Sequence, residues 1–95
     1  NGRYKAEFDG YSSSMYCCYS EGDNVVVDTT QALFLGCNVT IRIKRNAYVK
    51  LYVDRNCDIK VECGDNAKCI IVYWTGAKIT LTDSAQGKCK LIEEK

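Results

Sequence analysis

The sequence predicts an all-β protein, and three observations carry that prediction. From Gly36 onward the chain divides into six consecutive ten-residue units without insertion. Within each unit, apolar residues recur at every second position, which is the spacing of a strand and not of a helix. Each unit opens with Asn, Gly or Gln, and Asn and Gly tolerate the positive φ of a tight corner. We therefore expect each unit to form one strand and one turn.

The alternation predicts which side chains face the core. Position two of each unit is always small, and positions four and six are Val, Ile, Leu or Cys. Position eight is apolar in the first four units and becomes Asp83 and Glu93 in the last two. Even positions should therefore point inward and odd positions outward. The pattern should weaken in the final two units.

Two architectures fit such units. An antiparallel β-meander or sandwich would join them by hairpins, whereas a β-solenoid would stack coils of two units each, with parallel strands. Cysteine spacing favours the solenoid, because Cys37 and Cys57 are twenty residues apart and so are Cys69 and Cys89. In a coil of that length each pair lies in one ladder, about 4.8 Å apart. A meander would also need a cover that the first 35 residues are too few to provide. We predict a small, parallel β-helix-like solenoid of about three two-sided coils.

Residues 1–35 precede the repeats and lose their register. We expect a strand around Tyr4 to Phe8, and an irregular first coil in GDNVVVDTTQALFLG, which has apolar runs without clear alternation. Solenoids need terminal caps, because an open end is a bare sheet edge. We therefore assign residues 1–35 to an N-terminal capping or arm segment and residues 36–95 to the six repeats, within a single domain.

The units resemble known repeats. NAYVKLYVDR and NCDIKVECGD follow the pattern Asn/Gly–small–x–aliphatic–x–aliphatic, which is similar to the short, period-ten β-solenoid repeats of bacterial and phage-type surface or fibre proteins. The resemblance covers residues 36–95, about two thirds of the chain. It implies a rigid spacer, tip or assembly element, and such repeats carry no catalytic motif. Asp83 and Glu93 depart from the pattern, which bears on whether the stack continues beyond them.

Seven cysteines allow several chemistries. Five of them occupy even, inward positions, where the simplest interpretation is that they pack as small hydrophobes. Stacked neighbours are nevertheless within disulfide range, so Cys37–Cys57 and Cys69–Cys89 are the candidate disulfides. Cys17 and Cys18 lie outside the repeats and are the expected source of a reactive or paired thiol. Neither a CxxC motif nor any His is present, so we expect no metal site.

Composition argues against several function classes. A net charge of +1 offers no broad attraction to nucleic acid or to anionic lipid. No apolar run approaches the roughly 18 residues that a membrane span requires, so we expect no membrane insertion. Asp83 and Glu93 are the one carboxylate pair considered for acid–base catalysis, and we expect them to lie in solvent on opposite sides of a coil. No cofactor motif is present, and we predict a protein that is not an enzyme.

The two outer faces of the predicted solenoid differ. One is polar throughout, whereas the other has an apolar column of Tyr52, Val72 and Ile92. A contiguous apolar stripe usually has a cover, and the candidates are the chain's own N-terminal arm, a second protomer or a glycan. The predicted binding or interface residues are Tyr48, Tyr52, Ile70, Val72, Trp74 and Ile92.

We therefore expect a non-catalytic structural or assembly module, a fibre, tip or surface element that self-associates or binds a protein partner through this face. The alternative is a carbohydrate-binding module that uses Tyr48, Tyr52 and Trp74 as stacking surfaces. The sequence leaves the location unknown, with a preference for an extracellular, cell-surface or virion setting.

Overall fold

A computed structural model describes residues 6–8, 11–15 and 20–94 of the chain. The described part is almost entirely β-structure. Its one helix is a short 3-10 helix, η1, and no helix in these ranges is long and apolar enough to cross a membrane. The elements in chain order are β1 (Ala6–Phe8), β2 (Tyr11–Met15), β3 (Asn24–Val27), β4 (Gln31–Leu35), β5 (Val39–Ile43), β6 (Tyr48–Val53), β7 (Asp58–Cys63), β8 (Lys68–Tyr73), β9 (Lys78–Leu81), η1 (Asp83–Ala85) and β10 (Cys89–Glu93).

The strands build a parallel β-solenoid of about four coils. Sheet I has the order β3-β5-β7-β9, and sheet II has the order β4-β6-β8-β10. Every pairing within the two sheets is parallel. Consecutive strands alternate between the sheets, so each coil contributes one strand to each sheet. The predicted solenoid is confirmed, and the alternative of an antiparallel meander is wrong, because the antiparallel pairing in the described residues is confined to β1 and β2.

The corners follow the expected chemistry in the middle of the chain. Asn46, Asn56 and Asn66 have φ values of 67°, 63° and 58°, and Gly76 has a φ of 80°. Asn and Gly visit this left-handed region at lower cost than other residues. The equivalent position near the end, Gln86, has a φ of −61°, because η1 replaces the regular corner there.

The first coil explains why the repeat is not visible before Gly36. Val27 pairs with Ile43, sixteen residues later, whereas Leu35 pairs with Val53, eighteen residues later. From β5 onward the offset is twenty residues, as in the pair of Ile43 with Cys63. The corners after β3 and after β4 are thus each two residues shorter than the corners stacked on them. The chain forms about four coils and not about three, because residues 24–35 complete an additional coil.

The core lies between the two sheets and consists of the predicted inward side chains. In β5 to β8 the inward residues are 0–6% exposed, apart from Tyr73 at the end of β8, which is half-buried. No polar or charged residue is buried in the part of the chain that the structure describes. The alternation therefore predicted the core correctly. In the last coil, however, Ile79, Leu81 and Cys89 are only half-buried, and Leu91 is 42% exposed.

Hydroxyl groups replace the strand ladder where β9 ends. The Cys63 amide N–H donates to Ser84 Oγ at 3.2 Å, and Thr82 Oγ1 donates to the Val61 carbonyl at 3.2 Å. The two hydroxyl oxygens lie 2.9 Å apart, so the Ser84 hydroxyl donates to Thr82 when Thr82 donates to Val61. These bonds attach η1 to β7, and they satisfy a backbone donor that would otherwise lack a partner at the end of the ladder.

Candidate functional site

The outer face of sheet II brings the predicted apolar column together. Tyr52 pairs with Val72, and Val72 pairs with Ile92, so the three side chains stack on successive strands. Phe34 joins them at the other end, because it pairs with Tyr52. We call the four residues Phe34, Tyr52, Val72 and Ile92 the outer ladder. It crosses every strand of sheet II.

Two of the remaining predicted residues flank the ladder in the same sheet. Ile70 lies between Lys50 and Lys90 in a parallel column, and Tyr48 pairs with Lys68. Tyr48 is 45% exposed. Ile70, Val72 and Ile92 are half-buried. The face therefore presents an apolar centre with lysines beside it, and all six residues predicted for binding lie on it or at its edge.

Three aromatic side chains meet at the corner after β6. The rings of Phe34 and Tyr52 are stacked, with centroids 4.7 Å apart and planes 11° from parallel. Tyr52 and Trp74 have centroids 6.3 Å apart and planes tilted by 33°. Together with Asp54 and Arg55, the three rings line a shallow cavity. Because the Phe34 and Tyr52 rings are stacked, the Tyr52 ring turns one face toward Phe34.

The β1–β2 hairpin lies near the first strand of this sheet. Its second strand, β2, packs next to β4. Ala32 of β4 points outward but is fully buried, and Phe34 is half-buried. The first strand of sheet II is thus more covered than β6 and β8, whose outward residues retain solvent exposure.

The outer face of sheet I is polar, as expected. Arg42 Nε lies 3.2 Å from Glu62 Oε1 across β5 and β7, in an ion pair whose side chains are 58% and 30% exposed. Val26 of β3 interrupts the polar face and is 54% exposed. The sequence did not reveal this residue, because the short corner after β3 hides its equivalence to Arg42.

The cysteines divide into two groups along the solenoid. Cys37 and Cys57 are buried just before β5 and β7. Cys69 and Cys89 lie opposite each other in β8 and β10, as the spacing predicted. Cys57, Cys63, Cys69 and Cys89 carry thiols in the structure. The disulfides Cys37–Cys57 and Cys69–Cys89 stay predictions, and Cys17 and Cys18 lie outside the described residues.

Cys63 adds a third thiol to the second group. It ends β7 in sheet I, and its Sγ lies 3.9 Å from Cys89 Sγ of sheet II. We call Cys63, Cys69 and Cys89 the thiol cluster. A hydrogen bond from Cys69, together with one from Cys63 and the nearby Lys88 ammonium, lowers the pKa of Cys89 to about 7 against the cost of its burial. Burial raises the pKa of Cys63 to about 12. The hydrogen bond to Cys89, followed by burial, raises the pKa of Cys69.

The Lys88 side chain reaches the corner that follows β7. Its Nζ donates to the Gly64 carbonyl at 3.2 Å, which keeps a positive charge close to the residue that follows Cys63. The repeat spacing did not join Cys63 with the predicted Cys69–Cys89 pair, since Cys63 is twenty-six residues from Cys89. The indication in the sequence was that Cys63 occupies the inward position eight of its unit, next to a corner.

The remaining chemical candidates are exposed. Asp83 begins η1, and Glu93 ends β10 opposite Tyr73. Both carboxylates are exposed to solvent. Within residues 20–94, no group of three or more Cys, Asp or Glu side chains has an arrangement that would hold a metal ion.

Comparison of the chain with protein-family models, with curated proteins and with solved structures finds no match. The class of protein is therefore defined by the fold alone: a small two-sided β-solenoid with an apolar outer ladder on one sheet and a thiol cluster where its last coil stacks on the preceding one.

Proposed function

We propose that this chain is a non-catalytic assembly module whose outer face of sheet II is an interface, with a second copy of the chain or another protein as its partner. The observation that supports the proposal is the outer ladder. Four large apolar side chains run across the whole width of one sheet. The corresponding column of sheet I contains Arg42 and Glu62. Apolar area that is concentrated on one face is typical of a surface that another molecule covers.

The flanking charges restrict the kind of protein that fits. The outward residues of β6 and β8 include Lys50 and Lys68, and β10 adds Lys90. None of the outward residues of these three strands is acidic. A partner must therefore place carboxylates or solvent opposite the lysines, because buried like charges are costly. A second copy satisfies this requirement when its lysine rows are offset from those of the first.

The ring geometry favours a protein over a glycan. Sugars bind aromatic side chains through the exposed face of the ring, whereas Tyr52 directs its ring toward Phe34 at 4.7 Å and toward Trp74 at 6.3 Å. An aromatic ladder of this kind presents ring edges outward. Ring edges and aliphatic side chains suit the packed, apolar centre of a protein interface.

The test is the solution mass of Val72→Asp, measured by light scattering on a sizing column, with and without reductant. Thr80→Asp is the matched control, because it places the same charge at an exposed outward position of sheet I. We expect the unmodified chain and Thr80→Asp to form a defined oligomer that survives reductant, and Val72→Asp to dissociate while keeping its circular dichroism spectrum. A monomeric unmodified chain would overturn self-association. Unfolding of Val72→Asp alone would assign the face to the chain's own arm.

A carbohydrate-binding module is the second candidate, and the observation in its favour is the cavity that Phe34, Tyr52 and Trp74 line together with Asp54 and Arg55. Aromatic walls with a carboxylate and a guanidinium are the groups that sugar-binding sites combine. A glycan array tests it, with Trp74→Ala as the variant. Specific binding that this variant abolishes would support the second candidate, whereas an array without signal would reject it.

A further inference from the structure

We infer that the thiol cluster is an oxidation site, at which Cys89 reacts with a small-molecule disulfide and then forms a disulfide with Cys63 that joins the two sheets. The inference does not rest on the proposed function. It rests on the position of three thiols where the last coil stacks on the preceding one, on the direction in which their side chains point and on the openness of the last coil.

The thiols of Cys63 and Cys89 lie close together. Cys63 ends a strand of sheet I and Cys89 begins a strand of sheet II, and their sulfur atoms are 3.9 Å apart across the core. A disulfide needs a sulfur separation of about 2.05 Å, so the two sulfur atoms must approach by roughly 2 Å, through side-chain rotation and a movement of the two strands. The last coil is the place where such a movement is possible, because Ile79 and Leu81 are only half-buried there.

The directions of the side chains decide which thiol can form a disulfide with Cys89. Cys69 is the nearer residue along the sheet, since it lies directly opposite Cys89. Side chains at such a parallel pair point the same way, so their Cβ atoms stay about 4.8 Å apart, whereas a disulfide brings them to about 3.8 Å. Cys63 belongs to the facing sheet and points toward Cys89. We therefore assign Cys63 as the disulfide partner, in place of the Cys69 that the twenty-residue spacing suggested, and Cys69 as the hydrogen-bond donor to the Cys89 sulfur.

Cys89 is the thiol of the cluster that is best placed to react with a small oxidant. Cys89 is half-buried, whereas Cys63 and Cys69 are 6% and 2% exposed. A small oxidant thus reaches Cys89 first. The Lys88 ammonium, held by the Gly64 carbonyl, is close to this sulfur. A cation and a neighbouring thiol donor favour the thiolate, which is the nucleophile in thiol–disulfide exchange.

The reaction balances with a low-molecular-weight disulfide as the oxidant. The Cys89 thiolate attacks one sulfur of that disulfide, the sulfur–sulfur bond breaks, and the departing thiolate takes a proton from water. The Cys63 thiol then gives its proton to water, and the resulting thiolate attacks Cys89 Sγ in the mixed disulfide. The bond between Cys89 and the small molecule breaks, and the departing small thiolate takes up a proton from water. Two protein thiols are oxidised and one small disulfide is reduced to two thiols. Reductant reverses both steps.

Trypsin separates the relevant cysteines, so the bond can be mapped in the full chain. Cleavage after lysine and arginine leaves Cys63 in VECGDNAK, Cys69 in CIIVYWTGAK and Cys89 in CK, while Cys57 falls in NCDIK. Cys17, Cys18 and Cys37 lie together on a different peptide. The reduced protein is treated with oxidised glutathione, free thiols are alkylated, and the peptides are analysed by mass spectrometry without reduction.

We expect VECGDNAK linked to CK in the unmodified chain. In Cys63→Ala, Cys89 should instead retain glutathione, because Cys69 points the same way as Cys89 from the neighbouring strand and its Cβ is too far away for a disulfide. In Cys69→Ala, the link should still form but more slowly, and the matched control Cys57→Ala should behave like the unmodified chain. Circular dichroism checks that each variant keeps its fold, and the result for the unmodified chain stands without any variant. A link between CIIVYWTGAK and CK, or a Cys89 that stays free or retains glutathione in the unmodified chain, would overturn the inference.

Discussion

The central coils and the last coil are built from the same ten-residue pattern, yet their interiors differ. Leu51, Val61 and Ile71 are completely buried in β6 to β8. The inward residues of the last coil follow the same alternation, but Ile79 and Leu81 are half-buried and Leu91 is 42% exposed. The difference arises because a central coil has a neighbour on each side, whereas the last described coil has a neighbour on one side only.

The comparison teaches that the repeat encodes the direction of a side chain but not the extent of its burial. In a solenoid each coil contacts only the coils next to it. An inward leucine therefore contributes to stability according to its place in the stack. The same asymmetry leaves the last coil more open than the others. There η1 replaces the regular corner, and Cys89 meets Cys63 and Cys69 of the preceding coil.

A pair of leucine truncations tests the difference between the central coils and the last coil most directly. We expect Leu51→Ala to lower the free energy of unfolding by about 2–5 kcal/mol, because it leaves a cavity in a closed core. Leu91→Ala should lower it by about 1 kcal/mol or less, because that side chain is already largely in solvent. Urea unfolding followed by circular dichroism measures both. Equal losses would show that the last coil is covered in solution.

A second pair compares two glycines with positive φ. Gly76 has a φ of 80° and lies at a corner stacked on another coil, where an added Cβ would collide with the Asn56 side chain. Gly22 has a φ of 81° near the start of the solenoid, and nothing lies close to it. Both Ala variants pay about 1–2 kcal/mol for the left-handed backbone, and Gly76→Ala should lose more than Gly22→Ala because of the collision.

The collision can be isolated with a double variant. Asn56→Gly keeps the positive φ of that corner and removes the side chain that Gly76→Ala would strike. In urea unfolding we expect the double variant Asn56→Gly/Gly76→Ala to lose less stability than the two single changes predict by addition. Strict additivity would mean that the corner relaxes around the added Cβ, and that stacking does not tighten the central corners.

The smallest expected effect comes from the outer face of the central coils. Arg42 and Glu62 form an exposed ion pair at 3.2 Å, and such pairs contribute about 0–1 kcal/mol. We expect Glu62→Gln to change the free energy of unfolding by no more than about 0.5 kcal/mol, with less change still in high salt. A larger loss would indicate that outward contacts, as well as inward ones, hold the coils together.

Much of the candidate site could be predicted from the sequence. Tyr52, Val72 and Ile92 share a column because each occupies position seven of its unit, and the period of twenty residues stacks such positions directly. Phe34 could not be placed in that column, because it lies eighteen residues before Tyr52. The two missing residues belong to a shortened corner, and alternation within a strand carries no information about corner length.

The contacts of the thiol cluster could likewise be predicted only in part from the sequence. The spacing of Cys69 and Cys89 predicted their ladder, because both lie in one sheet. The contact of Cys89 with Cys63 crosses from one sheet to the other at 3.9 Å. Which residues meet across the core depends on how the sheets close around a corner, and that geometry is not a function of sequence separation.

By itself, then, the sequence determined the strand pattern, the inward and outward positions, and the parallel stacking of coils in the repeated part, because a period-two alternation inside a constant ten-residue unit admits few other packings. The tertiary structure alone decided how many coils form, which coil is left open, that Phe34 completes the outer ladder and that Cys63 faces Cys89. These features depend on corner lengths and on contacts between sheets, which are set by the packing of the whole solenoid and not by any one unit.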